Sequence, residues 1–186
     1  MAKTIEGDFL HWQSPVTIEQ LLGHGMECER RTMDYELRPA TCDDYTYCYR
    51  LTKRNMQDLF CKHWGGWVPA EFCKGFVVEN IAMVIIAGKR AGYLNIIRES
   101  TFIYIDNIQL SPAWQNQGIG TSLLNRLLDN HSRVSIRLTT FEDNPAKRLY
   151  ERMGFVVLER NGMTVKMEKK AQQDGIPEPL TRTGDL

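Results

Sequence analysis

The segment from residue 102 to residue 128 constrains the fold most, because a short turn with two glycines joins a strand pattern to a helix pattern there. Residues 102–110 form an apolar run typical of a strand, and apolar residues recur at spacings of four and five from Ile119 to Leu128. Gly118 and Gly120 leave the backbone open to close approach. A helix that begins in such a turn directs unpaired N–H groups and its dipole at one spot. The segment therefore predicts a phosphate site, with a purely structural turn as the alternative.

The turn does not fit the two common nucleotide-binding patterns. The sequence Gly-Ile-Gly-Thr-Ser-Leu at 118–123 lacks the third glycine of a dinucleotide fingerprint, and no Gly-Lys-Ser or Gly-Lys-Thr follows it as in a P-loop. We therefore expect a phosphate site outside those two families.

The composition fits one globular domain with some extra length. The chain has 186 residues, of which 42% are hydrophobic and 25% are charged, and Lys plus Arg equal Asp plus Glu at 23 each. Since neither charge is in excess, we expect no nucleic-acid partner and no membrane partner. No apolar run is long enough to span a bilayer. The N-terminus lacks the layout of a signal peptide, so we expect a cytoplasmic protein.

The five cysteines show no Cys-x-x-Cys spacing. This pattern indicates neither a disulfide framework nor a zinc site, so we expect free thiols and no bound metal. We also expect each cysteine to be a buried apolar thiol and none to act as a nucleophile. The cysteines are Cys28, Cys42, Cys48, Cys61 and Cys73.

Strand and helix patterns alternate along most of the chain. The short turns favour antiparallel hairpins, whereas the connection from 110 to 134 requires a crossover between parallel strands. The expected fold is an α/β (α+β) domain with a single mixed, mostly antiparallel sheet of six to seven strands flanked by helices. We expect an N-terminal extension at 1–32 that can form a short helix, a domain at 33–170 and a polar C-terminal tail at 171–186. The expected strands are 33–39, 81–87, 91–97, 102–110, 134–139, 155–158 and 163–167, and the expected helices are 41–60, 69–76, 119–130 and 144–153, with a loop at 63–67.

Two motifs in this order of elements resemble the signatures of the GNAT superfamily of acyl-CoA-dependent N-acetyltransferases. The first is Gln115-x-x-Gly118-x-Gly120 after the fourth strand. The second is the run from Asn144 to Phe155, which reads Asn-Pro-Ala-Lys-Arg-Leu-Tyr-Glu-Arg-Met-Gly-Phe. The resemblance covers roughly residues 34–169. It implies the GNAT fold, acetyl-CoA as co-substrate, and a fourth and a fifth strand that separate around the thioester.

The resemblance also implies where acetyl-CoA lies. The glycine turn would hold its pyrophosphate, and Gln115 would shape that turn. The fourth strand would pair with the pantetheine arm as an added strand. Asn144 would hydrogen-bond the pantetheine, and Tyr150 would protonate the leaving thiolate. The backbone contacts would come from Ile108, Gln109 and Leu110 in the strand and from Gln117, Gly118, Ile119, Gly120 and Thr121 in the turn.

The residues of the second motif also have structural explanations. Tyr150 lies in the apolar stripe of its helix, where a tyrosine is often part of the core. Lys147 is the first candidate for the 3′-phosphate of CoA, with Arg148 and Arg152 beside it, although all three are typical of a solvated helix face.

Carboxylates near the expected gap are candidates for the base that takes a proton from an ammonium acceptor. Asp106 is the first candidate, since it alternates with Tyr104 and Ile108 along the fourth strand; a salt-bridging carboxylate is its structural alternative. Glu142 and Asp143 are second candidates. A substrate that arrives deprotonated, or a chain of waters, would need no protein base.

The loop from 63 to 67 is the candidate acceptor site, because this region varies with the substrate in the resembling family. His63, Trp64 and Trp67 would contact the acceptor there. The tryptophan rings can stack on a planar or cationic acceptor, or they can plug the core. The region has no run of acidic residues, which disfavours a polycationic acceptor.

The expected function is direct transfer of the acetyl group of acetyl-CoA to a primary amine of a small molecule. A protein N-terminus or a lysine is the alternative acceptor. A non-catalytic acyl-CoA-binding regulatory module is the alternative of another class. The resemblance also allows a homodimer.

Overall fold

A computed structural model describes residues 34–172. The expectations for 1–32 and for 173–186 lie outside the described residues. Within the described range, no helix combines the length and apolarity that a membrane crossing requires. The helices are α1 Tyr45–Trp64, α2 Pro69–Gly75, α3 Ile119–Asn130 and α4 Lys147–Arg152, with 3-10 turns at Cys42–Asp44, Val78–Asn80 and Pro112–Trp114. The strands are β1 Glu36–Pro39, β2 Ile81–Ile86, β3 Lys89–Arg98, β4 Phe102–Leu110, β5 Ser135–Phe141, β6 Val156–Asn161 and β7 Thr164–Lys169.

The seven strands form one sheet in the order β1-β2-β3-β4-β5-β7-β6. Every neighbouring pair is antiparallel except β4 and β5, which run parallel because α3 connects them across the sheet. The β2–β3 hairpin turns at Ala87 and Gly88, whose φ angles of 48° and 70° suit the twist of a tight hairpin. The structure confirms the expected mixed, mostly antiparallel sheet flanked by helices.

The two faces of the sheet carry different pairs of helices. On one face, α3 and α4 cover the main core, which includes Leu124, Leu127 and Tyr150. On the other face, α1 and α2 cover a smaller core around Cys48 and Leu51. The sheet therefore separates two surfaces, and a group on one surface reaches the other only where the strands separate.

Asp44 anchors the N-terminal end of α1. Its side chain is fully buried and accepts hydrogen bonds from two nitrogens of Arg38 at 2.8 and 2.9 Å and from the Thr41 N–H at 2.9 Å. Arg90 of β3 contacts the same carboxylate at 3.0 Å. The Arg38 hydrogen bonds, above all, lower the pKa of Asp44 to about 2. Because a buried charge is stable only with partners, this carboxylate ties the start of α1 to β1 and β3.

The C-terminal end of α1 lies later than the sequence predicts. The helix runs through Trp64 and stops at Gly65, whose φ of 76° is in the left-handed region that glycine adopts easily. His63 and Trp64 therefore belong to the last helical turn, and the expectation of a loop from residue 63 is wrong at these two positions. The reason is packing, since both rings lie against Phe141 of β5.

β4 and β5 are paired over only part of their length. Their register covers four residue pairs and ends at Ile105 and Leu138. Directly after this point, Asp106 is an extra residue in β4 relative to β3. An extra residue bends its strand and increases the local twist. The bulge therefore coincides with the place where β4 turns away from β5, and a gap opens between the two strands.

The cysteines differ from the expectation in their exposure. Cys48 is buried, and burial raises the pKa of its thiol to about 12. Cys42, Cys61 and Cys73 are exposed free thiols, so the expectation of buried thiols is wrong for these three. Cys42 lies in the 3-10 turn before α1, Cys61 in α1 and Cys73 in α2, and the spacing of the cysteines alone does not reveal that these positions face outward.

Replacing Gly92 by Ala is expected to destabilise the fold. A Cβ at this position of β3 would lie 2.2 Å from the carbonyl oxygen of Gln109 and 2.8 Å from Leu110 Cδ2. Because a backbone atom must move, we expect a loss of about 1–3 kcal/mol in the free energy of unfolding, measured by urea denaturation. Gly75→Ala is the control, since no atom lies within 4 Å of its added Cβ. Equal unfolding midpoints for the two variants would contradict the close approach of β3 and β4.

Candidate active site

Asp106 lies in the bulge at the mouth of the gap, on the face covered by α1 and α2. Asn95 Nδ2 donates to Asp106 Oδ2 at 2.9 Å and to the carbonyl oxygen of Gly75, at the end of α2, at 3.4 Å. Asn95 is buried, and its Oδ1 has no hydrogen-bond partner in the described chain. Asp106 opens to solvent, yet the surrounding protein desolvates its carboxylate and raises its pKa above 3.8. A carboxylate that one amide orients and that desolvation makes more basic is suited to accept a proton.

The bulge changes which residues share a face with Asp106. A regular strand places residues i and i+2 on one face, but one extra residue reverses the alternation beyond it. Ile108 consequently packs against the cores beneath α3, whereas Gln109 reaches Asn55 of α1. The expectation that Asp106 and Ile108 share one face is therefore wrong.

The glycine turn presents backbone donors without internal acceptors. The Gln115 N–H donates to the Pro112 carbonyl oxygen, and the Ser122 N–H donates to the Gly118 carbonyl oxygen at 2.9 Å. Between these two residues, no backbone N–H donates to a carbonyl oxygen of the described chain. Gly118 begins α3 with a φ of 81° and offers no side chain to cap it. The N–H groups of 119–121 thus form the open first turn of a twelve-residue helix, and those of 116–118 lie in the turn directly before it. This arrangement fits an anion.

Two glutamine side chains hold the turn in shape. Gln115 Nε2 donates to the Leu110 carbonyl oxygen at 2.8 Å, which ties the turn to the end of β4. Gln117 Nε2 donates to the Ala113 carbonyl oxygen at 2.7 Å. These two contacts fix both ends of the connection from β4 to the glycine turn.

Asn55 is a residue of the site that the sequence did not predict. From the middle of α1, its Nδ2 donates to Gln109 Oε1 and to the Leu110 carbonyl oxygen, both at 2.9 Å. Gln109 in turn donates to Asn107 Oδ1 at 2.9 Å. In the sequence, Asn55 is one polar residue among several in this helix, and nothing there indicates that it contacts the end of β4.

Asn144 and Tyr150 lie at the start and in the middle of the α4 region. Asn144 Oδ1 accepts the Ala146 N–H at 2.9 Å, so this oxygen caps the turn that leads into α4. Tyr150 is 6% exposed and packs in the same cluster as Ile105 and Leu138, the last paired residues of β4 and β5. Desolvation raises the pKa of Tyr150 to about 12. Tyr150 therefore belongs to the core, next to the point where the pairing of β4 and β5 ends, and its functional role stays a prediction.

The second candidate bases are held in ion pairs. Glu142 pairs with Arg160 and with Lys147, and the Arg160 hydrogen bond above all lowers its pKa. Asp143 contacts Lys62 Nζ at 2.5 Å and His63 Nε2 at 2.8 Å, and these contacts lower its pKa to about 2. Both carboxylates are weak bases for that reason, and Asp106 is the stronger candidate.

The ion pairs also engage Lys147, the candidate for the CoA 3′-phosphate. Its Nζ lies 2.7 Å from Glu151 and 3.4 Å from Glu142. Two carboxylates therefore compensate its charge, and a phosphate would have to compete with both of them. Arg148 and Arg152 lie on the same short helix.

The three candidate acceptor residues lie in different environments. His63 stacks on Phe141 at 4.9 Å and is the partner of Asp143. Trp67 donates from Nε1 to the Tyr49 hydroxyl at 3.1 Å and is enclosed by other rings. Trp64 is 59% exposed and therefore offers the most accessible ring. His63 and Trp64 lie against Phe141 at the end of β5, whereas Trp67 packs between Tyr49, Phe60 and Phe72. Among the three, only Trp64 presents an open surface.

Taken together, these groups can bind an anion at the turn, admit an extended chain into the gap and transfer a proton at Asp106. Among residues 34–172, no cluster of three His, Cys, Asp or Glu side chains could hold a metal ion.

Comparison with known families and proteins agrees with this geometry. The family model described as "Acetyltransferase (GNAT) domain" matches residues 74–157. This range contains the gap, the glycine turn and α4. A search of the curated proteins found no significant match.

Several solved structures share the fold at low sequence identity. PaiA N-acetyltransferase from Thermoplasma acidophilum, solved with coenzyme A, is 15% identical with a TM-score of 0.59, and the match covers 74% of this chain and 99% of that one. The ribosomal-protein-alanine N-acetyltransferase of Escherichia coli is 21% identical with a TM-score of 0.61, over 77% of this chain and 98% of that one. Naa50 of Arabidopsis thaliana, solved with the bisubstrate analogue CoA-Ac-MVNAL, is 15% identical with a TM-score of 0.54, over 73% of this chain and 98% of that one. At these identities the likeness shows the fold, which is the expected one.

Replacing Asp106 by Asn is expected to stabilise the fold at neutral pH. Desolvation raises the pKa of Asp106 in the folded protein above the ordinary 3.8. At pH values between the unfolded-state pKa and the higher folded-state pKa, the folded protein therefore binds more protons than the unfolded chain. Stability therefore falls as the pH rises through that interval. The unfolding temperature of Asp106→Asn should match that of the wild type below the interval and exceed it above.

Thermal unfolding from about pH 3 to about pH 8 measures this difference. Asp58→Asn, at an exposed position of α1, is the control for the loss of one negative charge. An Asp106→Asn variant that never exceeds the wild type in this range would contradict the desolvation of Asp106.

Proposed function

We propose that the chain is a member of the GNAT acetyltransferase superfamily and that it transfers the acetyl group of acetyl-CoA directly to a primary amine of a small molecule. The observation that carries the proposal is the row of backbone N–H groups at 116–121, which have no acceptor among the described residues and lie next to the gap between β4 and β5. The N–H groups suit a diphosphate, and the gap between the strands suits an extended thioester arm.

In this proposal, the pyrophosphate of acetyl-CoA binds at the start of α3 and the pantetheine arm enters the gap along β4. Side chains already occupy part of that strand, because the Leu110 carbonyl oxygen accepts from both Asn55 and Gln115. Pairing with the pantetheine would therefore fall on the backbone between Asp106 and Leu110, nearer to Ile108. The second amide atom of Asn144, Nδ2, is left to hydrogen-bond the arm.

Asp106 would take the proton from the acceptor ammonium. Asn95 holds one carboxylate oxygen, so the other is open toward the amine. The neutral amine then attacks the thioester carbonyl carbon and forms a tetrahedral intermediate, whose nitrogen loses its second proton to solvent. The C–S bond breaks as the intermediate collapses to the amide, and CoA leaves as a thiolate. A carboxylate whose pKa is raised matches an ammonium proton better than an ordinary one.

Tyr150 would stabilise the thiolate from the opposite face of the sheet. With a pKa of about 12, its hydroxyl remains protonated at neutral pH. An ordinary thiol has a pKa of about 8.5, so the phenol donates a hydrogen bond to the sulfur more readily than it gives up its proton. Attack from the α1–α2 face and departure beside Tyr150 would place the acceptor and the leaving group on opposite sides of the gap.

The acceptor would approach from the face that carries Asp106 and the aromatic residues. Hydrogen bonds and ring contacts hold His63 and Trp67 in place, whereas Trp64 is exposed. A rigid wall with one open ring suits a compact acceptor with an apolar or cationic part.

A peptide N-terminus is the second candidate acceptor. The name of the related Escherichia coli enzyme gives an alanine of a ribosomal protein as its acceptor. The Arabidopsis relative was solved with CoA-Ac-MVNAL.

Replacing Gly120 by Ala is expected to weaken CoA binding without changing the fold. An added Cβ would lie 3.5 Å from Leu149 Cδ2 and 3.8 Å from Leu110 Cδ1, which is ordinary contact. It would stand among the N–H donors and keep a phosphate from approaching them, so we expect the Kd for CoA to rise by about tenfold or more. Calorimetric titration measures Kd, and Gly75→Ala is the control. Unchanged affinity in the Gly120 variant would contradict the assignment of the turn.

Turnover with a panel of amines tests the proposed reaction. The protein is supplied with acetyl-CoA and with small primary amines, N-terminal peptides or lysine peptides, and the CoA thiol is detected as it is released. The proposal expects thiol release with small amines, and release with peptides alone would favour the second candidate. CoA binding with no release for any acceptor would favour a regulatory module instead.

Tyr150→Phe provides the matched contrast in the same assay. Loss of the hydroxyl should lower kcat by about a hundredfold while the Kd for CoA changes little, because the contact forms only as the thiolate develops. Tyr35→Phe is the control, since its hydroxyl makes only a 3.4 Å contact with Ser122. An unaltered kcat in Tyr150→Phe would remove this residue from the reaction.

A further inference from the structure

A basic groove lies beside the end of β4, on the side away from β5. It has a volume of about 340 Å³ and lies between α1, the start of β3 and the residue that follows β4. Its charged lining consists of Arg50, Arg54 and Arg90, and Ser111 lies at its edge. No carboxylate lines it. In a chain with equal numbers of acidic and basic residues, three arginines around one concave surface form a local excess of positive charge.

Two of these arginines have no oppositely charged partner in the described part of the chain. Arg50 and Arg54 lie one helical turn apart on α1, where like charges repel each other. Both are exposed, and neither forms an ion pair within residues 34–172. A negatively charged ligand would relieve this repulsion.

The third arginine is fixed in position. Arg90 Nε lies 3.0 Å from the buried carboxylate of Asp44, and the Tyr47 hydroxyl donates to the Arg90 carbonyl oxygen at 2.9 Å. Arg38 pairs with the same carboxylate. One negative charge on Asp44 therefore faces two arginines, and part of the positive charge of Arg90 remains uncompensated. The terminal guanidinium nitrogens of Arg90 remain to donate into the groove, and little side-chain freedom is lost when they bind.

We propose that this groove binds a phosphate group. A phosphate monoester carries up to two charges and several acceptor oxygens, which matches guanidinium forks on two walls and the hydroxyls of Ser111 and Thr46 at the edge. A single carboxylate could pair with one guanidinium group but would leave the charges of the other two arginines uncompensated. None of these residues takes part in the proposed transfer step, but the proposal rests on the proposed co-substrate where the phosphate is that of CoA.

The phosphate can come from either of two sources. Ser111 begins the connection to the glycine turn, so the 3′-phosphate of CoA is one source. Lys147, the other candidate for that group, is already paired with two glutamates. A phosphate on a separate ligand is the second source. Both would use the same three arginines.

The test compares the wild type with the double variant Arg50→Ala, Arg54→Ala. Arg90 is left intact because its pairing with Asp44 supports the fold. Arg98→Ala is the control, since this exposed arginine lies at the opposite end of β3. Calorimetry gives the Kd values for CoA and for 3′-dephospho-CoA. Thermal unfolding is recorded with inorganic phosphate and with sodium chloride at equal ionic strength.

Two results would support the groove and identify the source. If the 3′-phosphate binds there, the wild type and Arg98→Ala should prefer CoA over 3′-dephospho-CoA by about tenfold or more, and the double variant should lose that preference. If the phosphate belongs to another ligand, inorganic phosphate should raise the unfolding temperature of the wild type and of Arg98→Ala but not of the double variant. Wild-type behaviour of the double variant toward both probes would overturn the proposal.

Discussion

The separation of β4 from β5 is the constraint on which the rest of the site depends. Parallel pairing ends at Ile105 and Leu138, and the extra residue Asp106 turns β4 aside at that point. The same bulge places a desolvated carboxylate at the mouth of the opening. Since β4 continues into the glycine turn, its direction also decides where the N–H groups at the start of α3 point. One local irregularity thus orients both the anion site and the candidate base.

The sheet assigns the two candidate catalytic groups to opposite faces. Asn95 connects Asp106 to the end of α2, whereas Tyr150 lies in the core beneath α3 and α4. In a continuous sheet these side chains would be isolated from each other by the strands. The opening between β4 and β5 leaves no strand between them, so both would reach one thioester in the proposed reaction. The proposed proton acceptor and the proposed leaving-group donor would then lie on opposite faces without a barrier between them.

Local patterns predicted most of the fold and the backbone part of the site. Strand alternation, helical spacing and the glycines at 118 and 120 depend on neighbouring residues, and the sheet and the turn follow from them. The predicted end of α1 was too early, because contacts with Phe141, far along the chain, keep His63 and Trp64 in the helix. The predicted orientation of Ile108 was wrong, because a bulge leaves no signal in an apolar run.

Contacts between distant residues account for what the sequence could not provide at the site. Lys62 pairs with Asp143, and Arg160 pairs with Glu142, so two carboxylates with suitable positions are poor bases. Asn55 reaches the end of β4 from the middle of α1. The basic groove likewise joins α1 to the start of β3 and to Ser111. Such partners become visible only when the helix is placed over the sheet.

The short parallel ladder between β4 and β5 also divides the molecule mechanically. Four residue pairs join a four-stranded half, β1 to β4, to a three-stranded half formed by β5, β7 and β6. α1 is the brace between these halves: Asp44 fastens one end to β1 and β3, and the contacts of His63 with Phe141 and Asp143 fasten the other end beyond β5. The width of the opening therefore depends on the length of α1 and on the contacts at its two ends. None of these contacts involves β4, and the one β5 residue among them is Phe141, where that strand ends.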